Sequence, residues 1–368
     1  VWGTKAIKFP ILSSATTAYM WGNHMSGIDV LKLLTDGTIR KMAVDDAADR
    51  AKAGTLRGGS GGWMSEDFKY CTGTCPRKAW ARYKGYTLED NSDKLPMFQG
   101  GRLSEDGVCE ILEHSWPNYK REEEVPTSWS TTNGLLVTGR PDIVLCDNSV
   151  PCHGLELKLI CSLWTALDVL VAPKVDHIIQ AAHYSKQLNV PYTIVYVNRT
   201  NWSLLSDFAL KKIPKEGDVG SEVIDYKWYK TKVMEDGKAK EIKYRAGKDM
   251  RPFYRTYSLR WDEHGQVEVN LGGDNWATTF VTWSGIERFY NYISTMDERG
   301  HCGPVPTPVD ISGDSKSYKA CAYCNLKEHG CGKANLPLDK FKEICDSVQA
   351  VILFKRGELT NVIEGDNT

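Results

Sequence analysis

The sequence predicts a mixed α/β fold, and three observations predict it. Leu135–Val144 and Leu155–Ile160 read as strands, with the turn-forming residues Asp147, Asn148, Ser149 and Pro151 between them. Pro173 suits the first turn of a helix running to about Leu188. Tyr192–Val197, bounded by Pro191 and Asn198, reads as another strand. The order strand, strand, helix, strand belongs to a sheet covered by helices. At 368 residues the chain has the length of one elaborated domain or two, enough to bury a core without covalent staples.

Composition removes several function classes. Lys plus Arg is 46 and Asp plus Glu is 47, a formal charge of −1, so attraction to a polyanion has to come from local patches. Apolar runs such as Ala350–Phe354 are too short to span a bilayer, and no membrane partner is expected. Val1–Ser14 lacks an apolar signal core, so a cytoplasmic location is expected. Eleven cysteines cannot all pair within the chain. A reducing compartment disfavours disulfides, which leaves metal ligation or buried thiols.

In chain order, residues 1–62 form a preamble. Short helices are expected at Ser26–Leu34 and Val44–Ala53, with a break at Asp36-Gly37. Gly58-Gly59-Ser60-Gly61-Gly62 reads as a flexible linker; the alternative, a phosphate cradle, lacks the Lys-Ser/Thr ending of a P-loop. Residues 63–210 hold the core. Ser65 is placed to cap a helix carrying Glu66 and Asp67 in its first turn, leading into Cys75–Tyr83, and a second helix is expected over Glu105–His114. Residues 211–275 read as a β-rich insertion. Within 211–260, 14 Lys or Arg stand against 8 Asp or Glu, interleaved with seven aromatics that include Trp228 and Tyr229. Residues 276–368 open with a helix at Ile286–Met296 and end in a cysteine cluster.

The chemistry concentrates in Gly139-Arg140-Pro141-Asp142 and Gly154-Leu155-Glu156-Leu157-Lys158. Residues two apart in a strand share a face, so Glu156 and Lys158 point one way and Leu155, Leu157 and Leu159 point the other, into the core. A hairpin brings Asp142 beside Glu156. Two carboxylates on adjacent strands suit a hard cation such as Mg²⁺ or Mn²⁺, and the lysine orients a water and balances charge as a phosphate is attacked. A surface hairpin with polar residues facing solvent gives the same pattern. On the following helix Gln180 and Tyr184, four apart, share a face, with His177 one turn earlier.

These residues resemble a RecB-like nuclease of the PD-(D/E)xK superfamily: G-R-P-D at Gly139–Asp142, E-L-K at Glu156–Lys158 and Q-x-x-x-Y at Gln180–Tyr184. The resemblance implies a restriction-endonuclease-like mixed central sheet flanked by helices. It implies that Asp142 and Glu156 bind metal together with the carbonyl of Leu157, that Lys158 is catalytic, and that Gln180 and Tyr184 lie on the substrate side. Family members often carry a metal-binding His four residues after a Gly; here Glu105 stands four after Gly101, which leaves metal preference open. An exposed helix-face charge is the plain alternative for Glu105.

Cys321-x2-Cys324-x6-Cys331 is a three-cysteine run without the second close pair of a zinc ribbon. In the iron–sulfur branch of these nucleases, similar to the CRISPR-associated exonucleases and the AddB nuclease domain, one cysteine precedes the core and three follow it. That resemblance implies a [4Fe–4S] clasp on Cys75, Cys321, Cys324 and Cys331. Structural Zn²⁺ or no metal are the alternatives, and Cys71 and Cys302 are rival ligands.

Arg77, Lys78 and Arg82, with Trp228 and Tyr229 of the insertion, are the expected nucleic-acid contacts, since cations neutralise phosphates and aromatics stack unpaired bases. A solvated hairpin with its aromatics on the core face is the alternative for the insertion. The expected function is a metal-dependent DNA exonuclease on single-stranded or frayed ends, partnered by a helicase, a recombinase or a CRISPR adaptation protein. The rival expectation is a DNA-binding recombination or adaptation subunit whose nuclease site is vestigial or partner-regulated.

Overall fold

The computed structural model describes residues 54, 56–57, 61–88, 95–121, 124–198, 213–215, 217–221, 224–235, 238–250, 254–304, 311, 313, 324, 326, 329–331 and 336–355. The helices expected at Ser26–Leu34 and Val44–Ala53 lie outside them, as do Gly58, Gly59, Ser60 and Cys321. In chain order the elements are β1 (Leu56–Arg57), β2 (Gly62–Met64), β3 (Cys71–Gly73), α1 (Pro76–Tyr83), α2 (Leu95–Ser115), β4 (Tyr119–Arg121), β5 (Thr127–Ser130), β6 (Leu136–Gly139), β7 (Ile143–Asp147) and β8 (Val150–Ile160). Then follow α3 (Leu163–Val171), α4 (Val175–Leu188), β9 (Tyr192–Asn198), β10 (Ile224–Glu235), β11 (Lys238–Met250), β12 (Tyr254–Trp261), β13 (Gln266–Asn270), β14 (Trp276–Thr282), α5 (Trp283–Ser294), α6 (Met296–Arg299) and α7 (Leu338–Lys355).

The chain is a mixed α/β protein. Seven strands form one sheet in the order β14-β13-β12-β9-β8-β7-β4. Only the β8–β9 pairing within it is parallel; the others are antiparallel. The parallel pair is the one joined through helices, α3 and α4, because strands running the same way need a long crossover. Helix α4 packs on one sheet face, and α2 approaches the other, where Val108 and Cys109 cluster with Ile143, Leu155 and Leu157. Among the described residues no helix is long and apolar enough to cross a membrane.

Several expectations change, each for a local reason. The single strand expected over Leu135–Val144 is two, since β6 ends at Gly139 and β7 begins at Ile143. Pro141 between them has no N–H to give a ladder. Asn148 and Ser149 make the β7–β8 turn, both at positive φ (47° and 68°), while Pro151 falls inside β8. Ser65 does not start a helix. Its hydroxyl donates to Asp67 Oδ1 at 2.7 Å and accepts from Tyr70 N at 2.9 Å, closing the β2–β3 hairpin. The residues that cap helices also close turns, by the same side-chain-to-backbone bonds.

Gly61 and Gly62 are buried rather than a loose linker. A Cβ on Gly61 would lie 2.9 Å from Gln180 N, and one on Gly62 would overlap the Phe289 ring. Within the β-rich segment 211–275, β10 and β11 pair, among the described residues, with each other alone, whereas β12 pairs with β9 and joins the main sheet. The inserted part among the described residues is therefore the β10–β11 hairpin. Helix α3 lies ahead of Pro173, and α4 begins after it at Val175. Asn189 closes α4 in the left-handed conformation at φ 54°.

The β8–β9 pair is built tightly around Gly154, which stands opposite Tyr192 in register. A side chain at 154 would overlap the Tyr192 ring, and both residues are buried. Gly154→Ala is expected to lower stability by about 1–3 kcal/mol, the cost of overpacking a filled core. Chemical denaturation checks it, and an unchanged midpoint would contradict this packing.

Candidate active site

Register brings the carboxylates together. Ile143 pairs with Leu155 in an antiparallel ladder, so one step further Asp142 stands opposite Glu156. Asp142 Oδ2 accepts a hydrogen bond from Leu157 N at 2.7 Å, holding Asp142 at the strand end where Pro141 has released the chain. Glu156 lies on the same face as Gly154, the face that meets Tyr192 and, beyond it, Tyr184 of α4 at a ring separation of 6.1 Å. Glu156 is 0% exposed, deeper than Leu155, Leu157 and Leu159, which are half-buried on the α2 side. Glu156 and the leucines lie on opposite faces, but both faces are covered, and the carboxylate occupies the drier one.

Lys158 Nζ donates to Glu156 Oε1. The other carboxylate oxygen, Oε2, is sealed from solvent and receives no N–H or hydroxyl donor, and the Asp142 and Glu156 carboxyls are close enough to hydrogen-bond each other when one carries a proton. Burial is the first cause that pushes both acids above the usual carboxylate range. For Asp142 the Glu156 charge adds to it, while at Glu156 the Lys158 ammonium opposes it. The Lys158 pKa is raised: burial works against its charge, but Glu156 and Asp142 outweigh that. The lysine is therefore an ammonium, able to orient and stabilise negative charge rather than take up a proton.

Helix α4 supplies the second layer. The Tyr184 hydroxyl accepts from Arg140 N at 3.3 Å and is hydrogen-bonded by the Gln180 side chain. The Tyr184 ring covers Gly139, where a Cβ would overlap it. Thus Tyr184 fixes the Gly139–Asp142 bend from behind and is buried. His177 Nδ1 meets the Tyr196 hydroxyl at 2.8 Å, and burial lowers its pKa to about 4. Tyr196 is the register partner of Lys158, so the helix and the lysine strand are tied through it.

The structure brings Asp142, Glu156, Lys158, Gln180 and Tyr184 together. Glu105 on α2 is near enough to act on Glu156 electrostatically, but it pairs with Arg121 Nη2 at 3.4 Å. Among the described residues no group of three or more His, Cys, Asp or Glu side chains is arranged, as it stands, to hold a metal ion. The donors nonetheless suit a hard divalent cation. Two adjacent buried carboxyls are oxygen ligands of the right class, and a cation would answer the charge that burial penalises.

The cysteines are free thiols among the described residues. Cys75 and Cys331 influence each other electrostatically, and burial pushes Cys75 up to about 11. Cys302 joins them, pushed up to about 12, chiefly by burial, with Cys331 and Cys75 contributing. Cys324 is partly buried, and Cys321 lies outside the described residues. Soft thiols gathered in a buried corner suit an iron–sulfur or zinc centre. Cys302, a rival ligand by sequence, lies near Cys75 and Cys331, and the buried Cys345 lies near Cys331 and Cys302.

Of the expected nucleic-acid contacts, Arg82 is exposed and Lys78 half-buried. Arg77 is a correction: it is 1% exposed, on the packed face of α1 with Trp80 and Ala81, and is no phosphate contact. Trp228 and Tyr229 lie in β10, where only the backbone is described.

No protein-family model and no curated protein matches the chain. Among solved structures it is similar to the crystal structure of SSO0001, at 18% identity and a TM-score of 0.30, over 45% of this chain and 73% of that one.

The raised acids carry a pH signature. Burial, reinforced by the Glu156 charge, raises the Asp142 carboxyl, so its contribution to metal-free stability is expected to fall as pH rises above about 4, the unfolded carboxylate range. Asp142→Asn removes this penalty. The metal-free variant is expected to be about 1 kcal/mol more stable than wild type at neutral pH and no different near pH ~3. Mg²⁺ or Mn²⁺ should raise the wild-type melting temperature and leave the variant unmoved. Thermal melts across that pH range, with and without metal, check both; a wild type that gains stability with rising pH would contradict the assignment.

Proposed function

We propose that the chain is a divalent-metal-dependent deoxyribonuclease of the RecB-like PD-(D/E)xK kind, with a restriction-endonuclease-like core and an iron–sulfur clasp, acting as an exonuclease on single-stranded or frayed DNA ends. One observation carries this reading. A buried glutamate, ion-paired to Lys158, faces Asp142 across a strand pair within hydrogen-bond range, so two acids and one lysine share a dry site. Burying two acids side by side is costly, and a divalent cation held between them would remove that cost.

In this reading Asp142, Glu156 and the Leu157 carbonyl would hold the cation, and Glu105 would join them on leaving Arg121. When bound, the cation supplies Lewis acidity to the phosphate and its attacking water. Lys158, as an ammonium, orients that water and stabilises charge developing on the phosphate oxygens. The water oxygen bonds to phosphorus and gives up its proton to solvent. The bond from phosphorus to the 3′-oxygen breaks, and that oxygen takes a proton from solvent. Tyr184 and Gln180 hold the Gly139–Asp142 bend, so Tyr184 is a positioning residue. The exposed Arg82 on α1 supplies attraction to phosphate.

Asp142→Ala, Glu156→Ala and Lys158→Ala are each expected to reduce cleavage of end-labelled single-stranded DNA by at least about 10³-fold with Mg²⁺ or Mn²⁺, while binding persists. Circular DNA should resist if digestion starts from ends. Metal-dependent cleavage retained in all three variants would refute the site. Wild-type protein that binds DNA but releases no product would favour the partner-regulated subunit.

A further inference from the structure

Arg77 is a large charge in the wrong place for a DNA-binding residue and the right place for another task. It sits on the first turn of α1, two residues after Cys75. Its guanidinium reaches two other parts of the chain. Nε donates to Gly303 O at 3.1 Å, while Nη1 donates to Cys331 O and lies 3.6 Å from Cys331 Sγ. Its positive charge also bears on Cys75 and Cys302. One side chain thus joins the cysteine before the sheet to the segment around Cys302 and Gly303 and to the C-terminal Cys331.

A buried guanidinium is expensive unless its charge is answered. The Gly303 and Cys331 carbonyls supply dipoles; deprotonated sulfurs supply full negative charge. A centre ligated by several thiolates is itself anionic and just as costly to bury, so cation and thiolates each remove the other's penalty. The planar fork of arginine can bond a carbonyl and a sulfur together, which a lysine ammonium cannot match in geometry.

We propose that Arg77 is the buried counter-cation of the cysteine centre, donating to Cys331 sulfur and bracing the Cys75 arm against the Cys302–Gly303 and Cys331 segments. This rests on the iron–sulfur reading above and adds to it a residue that holds no iron yet tunes the cluster. Hydrogen bonds to ligating sulfur and nearby positive charge make a cluster easier to reduce, and partners of this kind commonly change metal retention 10–100-fold.

The test uses the full chain purified without oxygen, as wild type, Arg77→Met, Arg77→Lys and the exposed control Arg82→Met. Iron, acid-labile sulfide, the visible spectrum, the midpoint potential and the rate of iron release to a chelator are read for each, with far-UV circular dichroism to monitor folding. Arg77→Met should shift the potential to more negative values and release iron about tenfold faster. Arg77→Lys should fall between it and wild type, and Arg82→Met should match wild type. A folded Arg77→Met with wild-type potential and release rate would overturn the proposal and leave the cluster standing. If Arg77→Met does not fold, Arg77→Lys decides, and wild-type behaviour there overturns it. Wild type lacking iron and sulfide would overturn the cluster reading itself, and this proposal with it.

Discussion

The centre of the molecule is a carboxylate kept where water cannot reach it. Glu156 is fully buried between its strand and α4, and such a charge survives only with compensation. Lys158 provides part of it from two residues along the same strand. The surrounding architecture serves to hold that arrangement: the hairpin register places Asp142 opposite, Leu157 N fixes Asp142 in place, and Tyr184 closes the bend from above. Gly139 and Gly154 are glycine because Tyr184 and Tyr192 press against them. Both tyrosines lie close enough to Glu156 to feel its charge.

Much of this core was legible in the sequence, because strand alternation and antiparallel register are geometric rules that need no tertiary information. They put Glu156 beside Lys158 and across from Asp142, and helix spacing put Gln180 with Tyr184. What alternation cannot say is which face is drier. The leucines suggested one core, yet helices cover both faces and the glutamate lies in the deeper. Likewise, nothing local distinguishes Ser65 as a helix cap from Ser65 as a hairpin closure, since both use the same oxygen. Nor does a basic residue on a short helix reveal whether it faces solvent. Arg82 does and Arg77 does not, and the difference depends on segments more than two hundred residues away. The place of β12 in the main sheet was hidden for a similar reason: it is set by pairing with β9, across a long interruption.

The two candidate centres follow one physical logic at opposite levels of hardness. At one, two carboxyls are buried with a lysine; at the other, thiols are buried with an arginine. Each sets acidic groups, whose ionisation burial penalises, beside a fixed cation that offsets the penalty. Helix α1 leads from the cysteine corner, and its Trp80 bonds Asp297 of α6, the short helix after α5. The Phe289 ring of α5 covers Gly62, next to the glycine lying against Gln180. The thiol corner is therefore continuous, through packed side chains, with the wall of the carboxylate site.

The central claim is that Asp142 and Glu156 share one divalent ion beside Lys158. Anomalous diffraction from crystals soaked in Mn²⁺ tests it most directly. The account expects a single strong peak within ligand distance of both carboxylates and the Leu157 carbonyl. A peak elsewhere with this pair empty, or an ordered Mn²⁺-soaked crystal in which Glu156 stays bonded to Lys158 alone, would contradict it.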